Sequence, residues 1–440
     1  MEAMKQSGIQ WIGEIPDSWK TKRIKYMANL KGRIGWQGLT SEEYQDEGAY
    51  LITGVDFLNG GIDWENCVHV PMSRWEEARE IQIQNGDLLI TKDGTIGKVA
   101  IVSDMPGETS LNSGVLRIMP IEGYSRRFLF WVLQSDEFWN WFNYKNAGNS
   151  TIQHLYQGDF AEFLYAFPDY VEQEAIADYL DTHCAELDSI ITDLEKQIET
   201  LKAYKKALIS ETVTKGLDRS IPMKDSGVDW IGKIPEHWDV KRLKYVLATP
   251  LQYGANEAGD DFDENKPRYI RITDIDEDNS LKEDGKLSIE WNLAKPYMLS
   301  NGDVLFARSG ATVGKTFIYY SDYGPAAFAG YLIKANTNSK KILPKFLFYI
   351  TLGAGYENWK NTVFTQATIQ NIGADKYSQL PVTLPTIKEQ EDILVFLDQA
   401  CNGIDATVSD KMKQLDIMRS HKQSVIYEYV TGKKRVKEVL

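Results

Sequence analysis

The sequence predicts an α+β protein in which two mixed α/β modules are each followed by a long helix. The two helices are expected to form an antiparallel coiled-coil spacer with pseudo-twofold symmetry. Three observations support this fold. The chain of 440 residues is longer than one ordinary domain. Nearly its whole length is an internal repeat, and each repeat ends in hydrophobic residues at heptad spacing.

Composition excludes several classes of protein. The hydrophobic fraction of 43% and the charged fraction of 25% are typical of folded domains. No stretch approaches 18 apolar residues and the N-terminus has no secretory-like run, so we expect a cytoplasmic protein without membrane contact. The three cysteines (Cys67, Cys184 and Cys401) lack paired metal-ligand spacing, which predicts reduced thiols and no metal site. A net charge of −14 does not indicate nucleic-acid binding, so that function needs other support.

The repeat begins with a tryptophan-rich motif, which reads SGIQWIGEIPDSW at residues 7–19 and SGVDWIGKIPEHW at 226–238. Three shorter motifs recur in the same order: NGDLL at 85–89 and NGDVL at 301–305, TIQ at 151–153 and 368–370, and EQE at 172–174 and 389–391. A period this long indicates a duplicated pair of domains rather than a solenoid. The motif tryptophans are predicted to bury against the ends of the long helices.

The spacing of hydrophobic residues changes once within each copy of the repeat, from a strand pattern to a helical one. Short β-rich runs such as 49–52 and 87–90, separated by Gly, Asn and Asp, predict strands joined by turns. The heptad segments that follow predict long helices, which Gly216 and Gly432 would end. The predicted limits are a first module at 1–169, a first helix at 170–216, a second module at 217–386, and a second helix with a C-terminal tail at 387–440.

The heptad positions define the predicted seam between the two helices. Lys205, Lys411 and Lys422 interrupt it. The seam residues are Leu180, Leu187, Ile191, Leu194, Ile198, Leu201 and Leu208 in the first helix, and Leu397, Ile404, Val408, Leu415, Met418 and Val425 in the second.

Connectivity predicts the direction of the pair. The second module begins where the first helix ends and finishes where the second helix begins. If the ends of that module lie close together, the helices run antiparallel with one module at each end. A helix of roughly 40 residues would span about 60 Å. Two similar modules at a set separation match the repetition of the major groove along duplex DNA, which recurs at about 34 Å.

With these motifs and this architecture, the sequence resembles the specificity subunit of type I restriction-modification systems. The resemblance spans essentially the full chain, through the WIG-x-IP motif, the NGD turn with its following Gly-Lys loop, and the EQE start of each helix. It implies two target recognition domains that each read half of a split DNA site. It also implies that the helices dock two methyltransferase subunits, to which restriction subunits are added. S-adenosylmethionine, ATP and Mg²⁺ would bind to those partners, and no cofactor is expected on this chain.

The first candidate DNA-contacting segment is a glycine loop, GATVGKT at 310–316 and GTIGKV at 94–99. It is one residue short of a phosphate-binding P-loop, and the first copy loses the spacing and the terminal hydroxyl, which disfavours nucleotide binding. A tight structural turn and a DNA-facing loop both remain open. The candidate residues are Lys92, Thr95 and Lys98 in the first copy and Arg308, Ser309, Thr312 and Lys315 in the second.

The second candidate segment lies before the last strand of each module, at 149–154 and 366–371. Amide side chains pair naturally with adenine in the major groove, whereas the alternative is a polar turn. The candidates are Asn149, Ser150 and Gln153, and Gln366, Thr368 and Gln370.

No catalytic grouping is recognised in the sequence. It contains no Asn-Pro-Pro-Tyr-like methylation motif, no GxGxxG cofactor loop and no convincing Ser-His-Asp set. We therefore expect a non-catalytic subunit of an adenine-methylating, ATP-dependent restriction complex. Two alternatives remain: a stand-alone DNA methyltransferase or nuclease with embedded recognition domains, and a duplicated scaffold without a DNA role.

Overall fold

The computed structural model describes residues 3–33, 39–147, 153–365 and 371–436. The chain divides into two compact units, and each contains half of both long helices. Unit 1 comprises Met1–Glu195 and Lys413–Leu440, and unit 2 comprises Lys196–Met412. No helix within the described ranges is long and apolar enough to cross a membrane.

The first module, which precedes the first long helix, is built from short strands with four short helices. Its strands are β1 Met4–Gln6, β2 Glu14–Pro16, β3 Lys20–Arg23, β4 Ala28–Gly32, β5 Ala49–Ile52, β6 Phe57–Leu58, β7 Gly61–Ile62, β8 Val68–Val70, β9 Leu88–Thr91, β10 Val99–Ile101, β11 Thr109–Leu111, β12 Val115–Pro120 and β13 Leu164–Phe167. Its helices are α1 Met72–Glu77, α2 Arg126–Gln134, α3 Asp136–Lys145 and α4 Gln157–Phe160, and they are followed by the long helix α5 Tyr170–Lys215.

The second module repeats this succession. Its strands are β14 Met223–Asp225, β15 Lys233–Pro235, β16 Asp239–Arg242, β17 Gln252–Tyr253, β18 Asp260–Asp261, β19 Arg268–Ile270, β20 Leu287–Ser288, β21 Val304–Ala307, β22 Thr316–Ile318, β23 Ala326–Phe328, β24 Leu332–Ala335 and β25 Pro381–Leu384. Its helices are α6 Trp291–Ala294, α7 Pro344–Leu352, α8 Ala354–Thr365 and α9 Ala374–Tyr377, and they are followed by the long helix α10 Ile387–Val430.

The two modules share the strand order of one four-stranded sheet, whereas their second sheet has three strands, β11-β5-β8, in unit 1 and four, β18-β20-β19-β23, in unit 2. An antiparallel sheet runs β10-β9-β12-β4 in unit 1 and β22-β21-β24-β17 in unit 2. A second sheet contains one parallel pair in each unit, β5 with β11 and β19 with β23. The first strand after the tryptophan-rich motif pairs with the last strand of its module, β3 with β13 and β16 with β25. This pairing returns the chain to the start of the long helix.

In unit 1 the two long helices pack antiparallel. The Tyr179 and Tyr429 rings lie 4.3 Å apart at one level. At a second level Asp188 pairs with Lys422 at 2.6 Å, so numbers rise along α5 as they fall along α10. Leu180, Cys184, Val425 and Ile426 belong to one hydrophobic core with the first module.

In unit 2 the other halves of α5 and α10 pack in the same antiparallel sense. Lys205 pairs with Asp405 at 2.6 Å, and Lys411 donates a hydrogen bond to Gln197 at 2.5 Å. Each lysine that interrupts the heptad pattern therefore has a polar partner on the facing helix. These pairs are partly exposed, so each contributes only about 0–1 kcal/mol. They favour this register at little cost to stability.

The structure leaves none of the predicted seam residues exposed. Leu180, Leu194, Ile198, Leu397, Val408, Leu415 and Val425 are buried. The remaining six, Leu187, Ile191, Leu201, Leu208, Ile404 and Met418, are half-buried. The three cysteines are free and buried.

A tryptophan lies beneath the end of a long helix in each unit. Trp19 and Trp238 are fully buried, whereas the motif tryptophans Trp11 and Trp230 are only half-buried. The helix above each buried ring ends at a glycine with positive φ, Gly216 at +71° and Gly432 at +70°. The buried members of the motif thus tie each module to a helix end, and the left-handed backbone explains the glycine that follows.

Unit 1 also buries an ionisable group that no sequence motif indicated. Glu137, at the start of α3, is completely buried. Burial raises the pKa of its carboxyl well above the usual range, and this effect outweighs the opposing one of the Ala166 backbone. Among the described residues, no well-formed hydrogen bond reaches either carboxyl oxygen. The site therefore favours the protonated, neutral form.

Replacing Glu137 with methionine is expected to raise the free energy of unfolding at pH 7 by about 1–3 kcal/mol, because a buried polar group without a partner is lost. The folded chain holds this proton more tightly than the unfolded chain, so wild-type stability declines as pH rises above about 4.5. The gain should therefore grow between pH 4.5 and 8, as measured by urea unfolding. Glu137→Gln, which cannot ionise, is the control and should also lose this pH dependence. A gain independent of pH would contradict the prediction.

Candidate nucleic-acid interface

The repeated Asn-Gly-Asp motif forms a turn that leads into the central strand of each four-stranded sheet. Gly86 and Gly302 both have φ +88°, a conformation that favours glycine. Asp87 accepts a hydrogen bond from the Gln84 amide at 2.9 Å, and Asp303 makes the equivalent contact at 2.8 Å. The motif therefore sets where β9 and β21 begin, and so where the loops after these strands lie.

Each of these strands ends in the glycine loop. Gly97 and Gly314 have φ of +80° and +85°. A side chain there would collide with a neighbour, since a Cβ would lie 2.6 Å from the Trp139 ring or 2.3 Å from the Lys360 chain. The loop returns into β10 or β22, which are antiparallel to the preceding strand. A P-loop leads into a helix, so the structure is a strand–turn–strand and the resemblance to a nucleotide site is only local.

In unit 2 this loop presents Arg308 within a polar and aromatic cluster. Its guanidinium lies 4.8 Å from the centre of the Tyr253 ring, at cation–π distance. Its Nε is 3.5 Å from Oδ1 of Asn371, a long contact that leaves the guanidinium free to bind other acceptors. The Ile372 amide donates to the Arg308 carbonyl at 2.8 Å, and the Ala374 amide donates to the Tyr253 hydroxyl at 2.9 Å. The segment after the second candidate loop is thus held against the glycine loop.

The surface around Arg308 offers groups that suit base recognition. Tyr253 and Tyr331 are exposed, and the Arg308 amide donates to the Tyr331 carbonyl at 2.9 Å. Guanidinium and carboxamide groups can each make two parallel hydrogen bonds to a base edge. The stacked ring limits the orientations of Arg308, which lowers the entropy that it would lose on binding.

Unit 1 has the same backbone arrangement with different side chains. The Leu155 amide donates to the Lys92 carbonyl at 3.0 Å, as Ile372 does to Arg308. Asp93 and His154 occupy the places of Ser309 and Asn371, and the His154 Nδ1 lies 2.6 Å from an Asp93 carboxylate oxygen. The two units therefore present chemically different groups from one scaffold.

The other predicted residues have varied surroundings. Lys98 and Gln153 are exposed. Lys315 is half-buried and donates to the Asp276 carbonyl at 3.2 Å, so it is less available to a phosphate. Thr95 donates to the Gly54 carbonyl at 2.7 Å. The Thr312 hydroxyl is buried, with no partner in the described part of the chain.

Ser309 forms an isolated antiparallel bridge with Asn371. Five predicted residues lie outside the residues that the structure describes: Asn149, Ser150, Gln366, Thr368 and Gln370. For these the DNA-contact hypothesis stays a prediction.

Sequence reasoning placed His154 and Asn371 within the second candidate segments without selecting them as readers, and it did not consider Asp93, Tyr253 or Tyr331. His154 and Asn371 directly follow the TIQ motif, so their equivalent places in the repeat were an available signal. No sequence signal indicated Tyr253, because it lies next to Arg308 only through the pairing of β17 with β24. Across the described ranges, no three His, Cys, Asp or Glu residues are grouped to hold a metal ion.

Comparison with known proteins relates the chain to a family. The family model for the type I restriction modification DNA specificity domain matches residues 16–200 and 235–415. The chain is 24% identical over 430 residues to the type I restriction enzyme StySPI specificity subunit of Salmonella potsdam, which covers 96% of this chain and 90% of that protein. It is 25% identical over 438 residues to the EcoBI specificity subunit of Escherichia coli, covering 97% and 88% of the two chains.

A solved chain agrees in fold. It comes from a study of complex assembly and conformational transition of the type I R-M system, and it superposes with a TM-score of 0.69 at 16% identity, covering 96% of this chain and 99% of that one. The tandem family matches coincide with the two repeated modules and most of the long helices. The chain belongs to the family of type I restriction-modification specificity subunits, with two DNA specificity domains in tandem.

Proposed function

We propose that this chain is the DNA-reading subunit of a type I restriction-modification complex, with recognition domains at 1–169 and 217–386 that each read one half of a bipartite site. The supporting observation is the shared link between the glycine loop and the segment before the last strand. It presents Lys92, Asp93 and His154 in one unit and Arg308 and Asn371 in the other. One backbone arrangement that carries two different sets of side chains suits the recognition of an asymmetric DNA sequence.

The residues suggest what each half contacts. Arg308 would donate two hydrogen bonds to O6 and N7 of a guanine, and Asn371 would pair with an adenine. Asp93 would accept a hydrogen bond from a cytosine amino group. Lys98 is exposed within the glycine loop and would contact a phosphate without reading sequence.

The partner subunits carry the chemistry in this proposal. The chain itself is non-catalytic, and α5 and α10 dock two methyltransferase subunits, to which restriction subunits are added. S-adenosylmethionine, ATP and Mg²⁺ act in those partners, and the complex works in the cytoplasm. Family membership supports this assignment.

The test is selection from a random duplex library, with the chain alone and with its methyltransferase partners. The expected result is one enriched motif with two defined parts and an unspecified gap of constant length. Adding labelled S-adenosylmethionine should give methyl transfer only with the partners present. No enriched sequence, or methyl transfer by the chain alone, would contradict the proposal.

A further inference from the structure

Unit 2 contains an apolar cavity, and one of its lining residues, Tyr356, donates a hydrogen bond to the Gly314 carbonyl of the glycine loop at 2.9 Å. The cavity has a volume of about 360 Å³ and lies between the end of α5 and the start of α8. Its lining includes Ser210, Val213, Trp230, Ile350, Gly355 and Tyr356. Every lining residue belongs to unit 2, so the cavity is complete within one compact body.

Larger side chains stand at the equivalent positions in unit 1. In the repeat, Tyr427 stands where unit 2 has Ser210, and Glu137 stands where unit 2 has Gly355. The Tyr427 hydroxyl donates a hydrogen bond to the carbonyl of Trp11 at 2.9 Å. Trp11 corresponds to Trp230 in the repeated motif. Unit 1 therefore shows what fits this location: a phenol ring whose hydroxyl donates to that backbone carbonyl.

Unit 2 lacks a ring equivalent to that of Tyr427, and the residues around this position differ from those in unit 1. Ile12 is 4% exposed in unit 1, whereas its counterpart Ile231 is only half-buried. No donor reaches the Trp230 carbonyl among the residues that the structure describes, although its counterpart has one. The cavity thus keeps the acceptor and the apolar walls while lacking the ring.

Ser210 has a structural role of its own at this site. Its Oγ accepts a hydrogen bond from the Ala354 amide at 2.7 Å, which caps the start of α8. In unit 1 the matching helix α3 is capped by Ser135, and unit 2 has Gly353 at that position. Ser210, on the long helix α5, thus caps α8 in place of a serine at the start of α8 itself. The cavity therefore lies beside an ordered helix start.

We propose that this cavity binds a small molecule that carries a neutral phenol ring. The ring would lie between Val213 and Ile350, and its hydroxyl would donate to the Trp230 carbonyl, as Tyr427 does to Trp11 in unit 1. The charged groups at the rim already have partners, since Glu211 lies 2.8 Å from Arg219 and 3.5 Å from Lys215. An uncharged ligand is therefore preferred over a phenolate or a carboxylate.

The test uses the full chain with p-cresol, which is the tyrosine side chain as a free molecule, in isothermal titration calorimetry. Saturable binding with one site per chain is expected. 4-Methylanisole, which has the same ring without the donor, should bind at least tenfold more weakly. No saturable p-cresol binding, or equal binding of the two molecules, would overturn the proposal.

Two filling variants locate the site. The double variant Ser210→Tyr with Gly353→Ser copies the unit 1 arrangement, including the helix cap, and should abolish p-cresol binding. Gly355→Leu fills the space from the opposite wall and serves if the double variant does not fold, because a Cβ there makes only ordinary contacts of 3.5 Å or more. Ala203→Tyr adds the same ring to an exposed position of α5 and should bind p-cresol as the wild type does. Unchanged binding by a folded filling variant would refute the site.

Discussion

Replacing Arg308 with alanine is expected to weaken binding to the preferred DNA sequence by about 1–3 kcal/mol, which is a rise in Kd of about 5-fold to 150-fold. The reason is geometric. The guanidinium is stacked at 4.8 Å on Tyr253, projects from the end of a central strand, and makes only a long contact with Asn371. Specificity should relax at the base positions read by unit 2 only. Competition binding against single-base variants of the selected site measures both effects.

Two further variants separate base reading from charge. Arg308→Lys keeps the charge but loses the planar fork, so it should retain the salt dependence of binding and lose much of the base discrimination. Lys340→Ala removes an exposed charge elsewhere in unit 2 and should leave discrimination unchanged. If Arg308→Ala lowered affinity equally for all sequences, Arg308 would be a phosphate contact and its role as a reader would be wrong.

Replacing Trp238 with alanine is expected to lower the free energy of unfolding by about 3–5 kcal/mol. The ring is 1% exposed and fills the space beside Gly216 at the end of α5. Its Nε1 donates to Glu389 at 3.1 Å, near the start of α10. Truncation would leave a cavity and remove a partner from that carboxylate, so two sources of stability disappear together. Urea unfolding of the full chain measures the loss.

The loss should depend on pH. Burial opposes ionisation of Glu389, but hydrogen bonds from Trp238, Thr386 and His237 outweigh it and lower the pKa to about 2. A carboxyl with a depressed folded pKa contributes stability above its ordinary value near 4.5, and this contribution is lost as pH falls toward 2. Removing Trp238 weakens that contribution, so the deficit of the variant should shrink over this range.

Trp291→Ala is the matched control, because that ring is 50% exposed. It should cost less than about 1 kcal/mol. A similarly small cost for Trp238→Ala would show that the buried ring does not hold the module to the helix ends.

The duplicated organisation and the long helices could be predicted from the amino-acid sequence. The heptad seam, the absence of proline from 171–214 and the closing glycines predicted helices that the structure places at Tyr170–Lys215 and Ile387–Val430. These features can be predicted because helical periodicity depends on residues that are close in sequence. The duplication also shows each pattern in two copies. Connectivity was enough to predict the antiparallel direction. Three lysines interrupt the heptad pattern, and the sequence does not explain them. In the structure each of them pairs with a polar side chain on the facing helix.

Which side chains come into contact depends on the three-dimensional fold. Arg308 and Tyr253 are far apart in sequence, and they are neighbours because strand pairing brings them together. The Asp93–His154 pair and the buried Glu137 likewise depend on long-range packing, which no local period encodes. The cavity in unit 2 exists because a serine replaces a tyrosine and a glycine replaces a glutamate at positions that meet only in space. Local periodicity specifies the elements, whereas the chemistry at a surface or in a cavity depends on which elements the folded chain brings side by side.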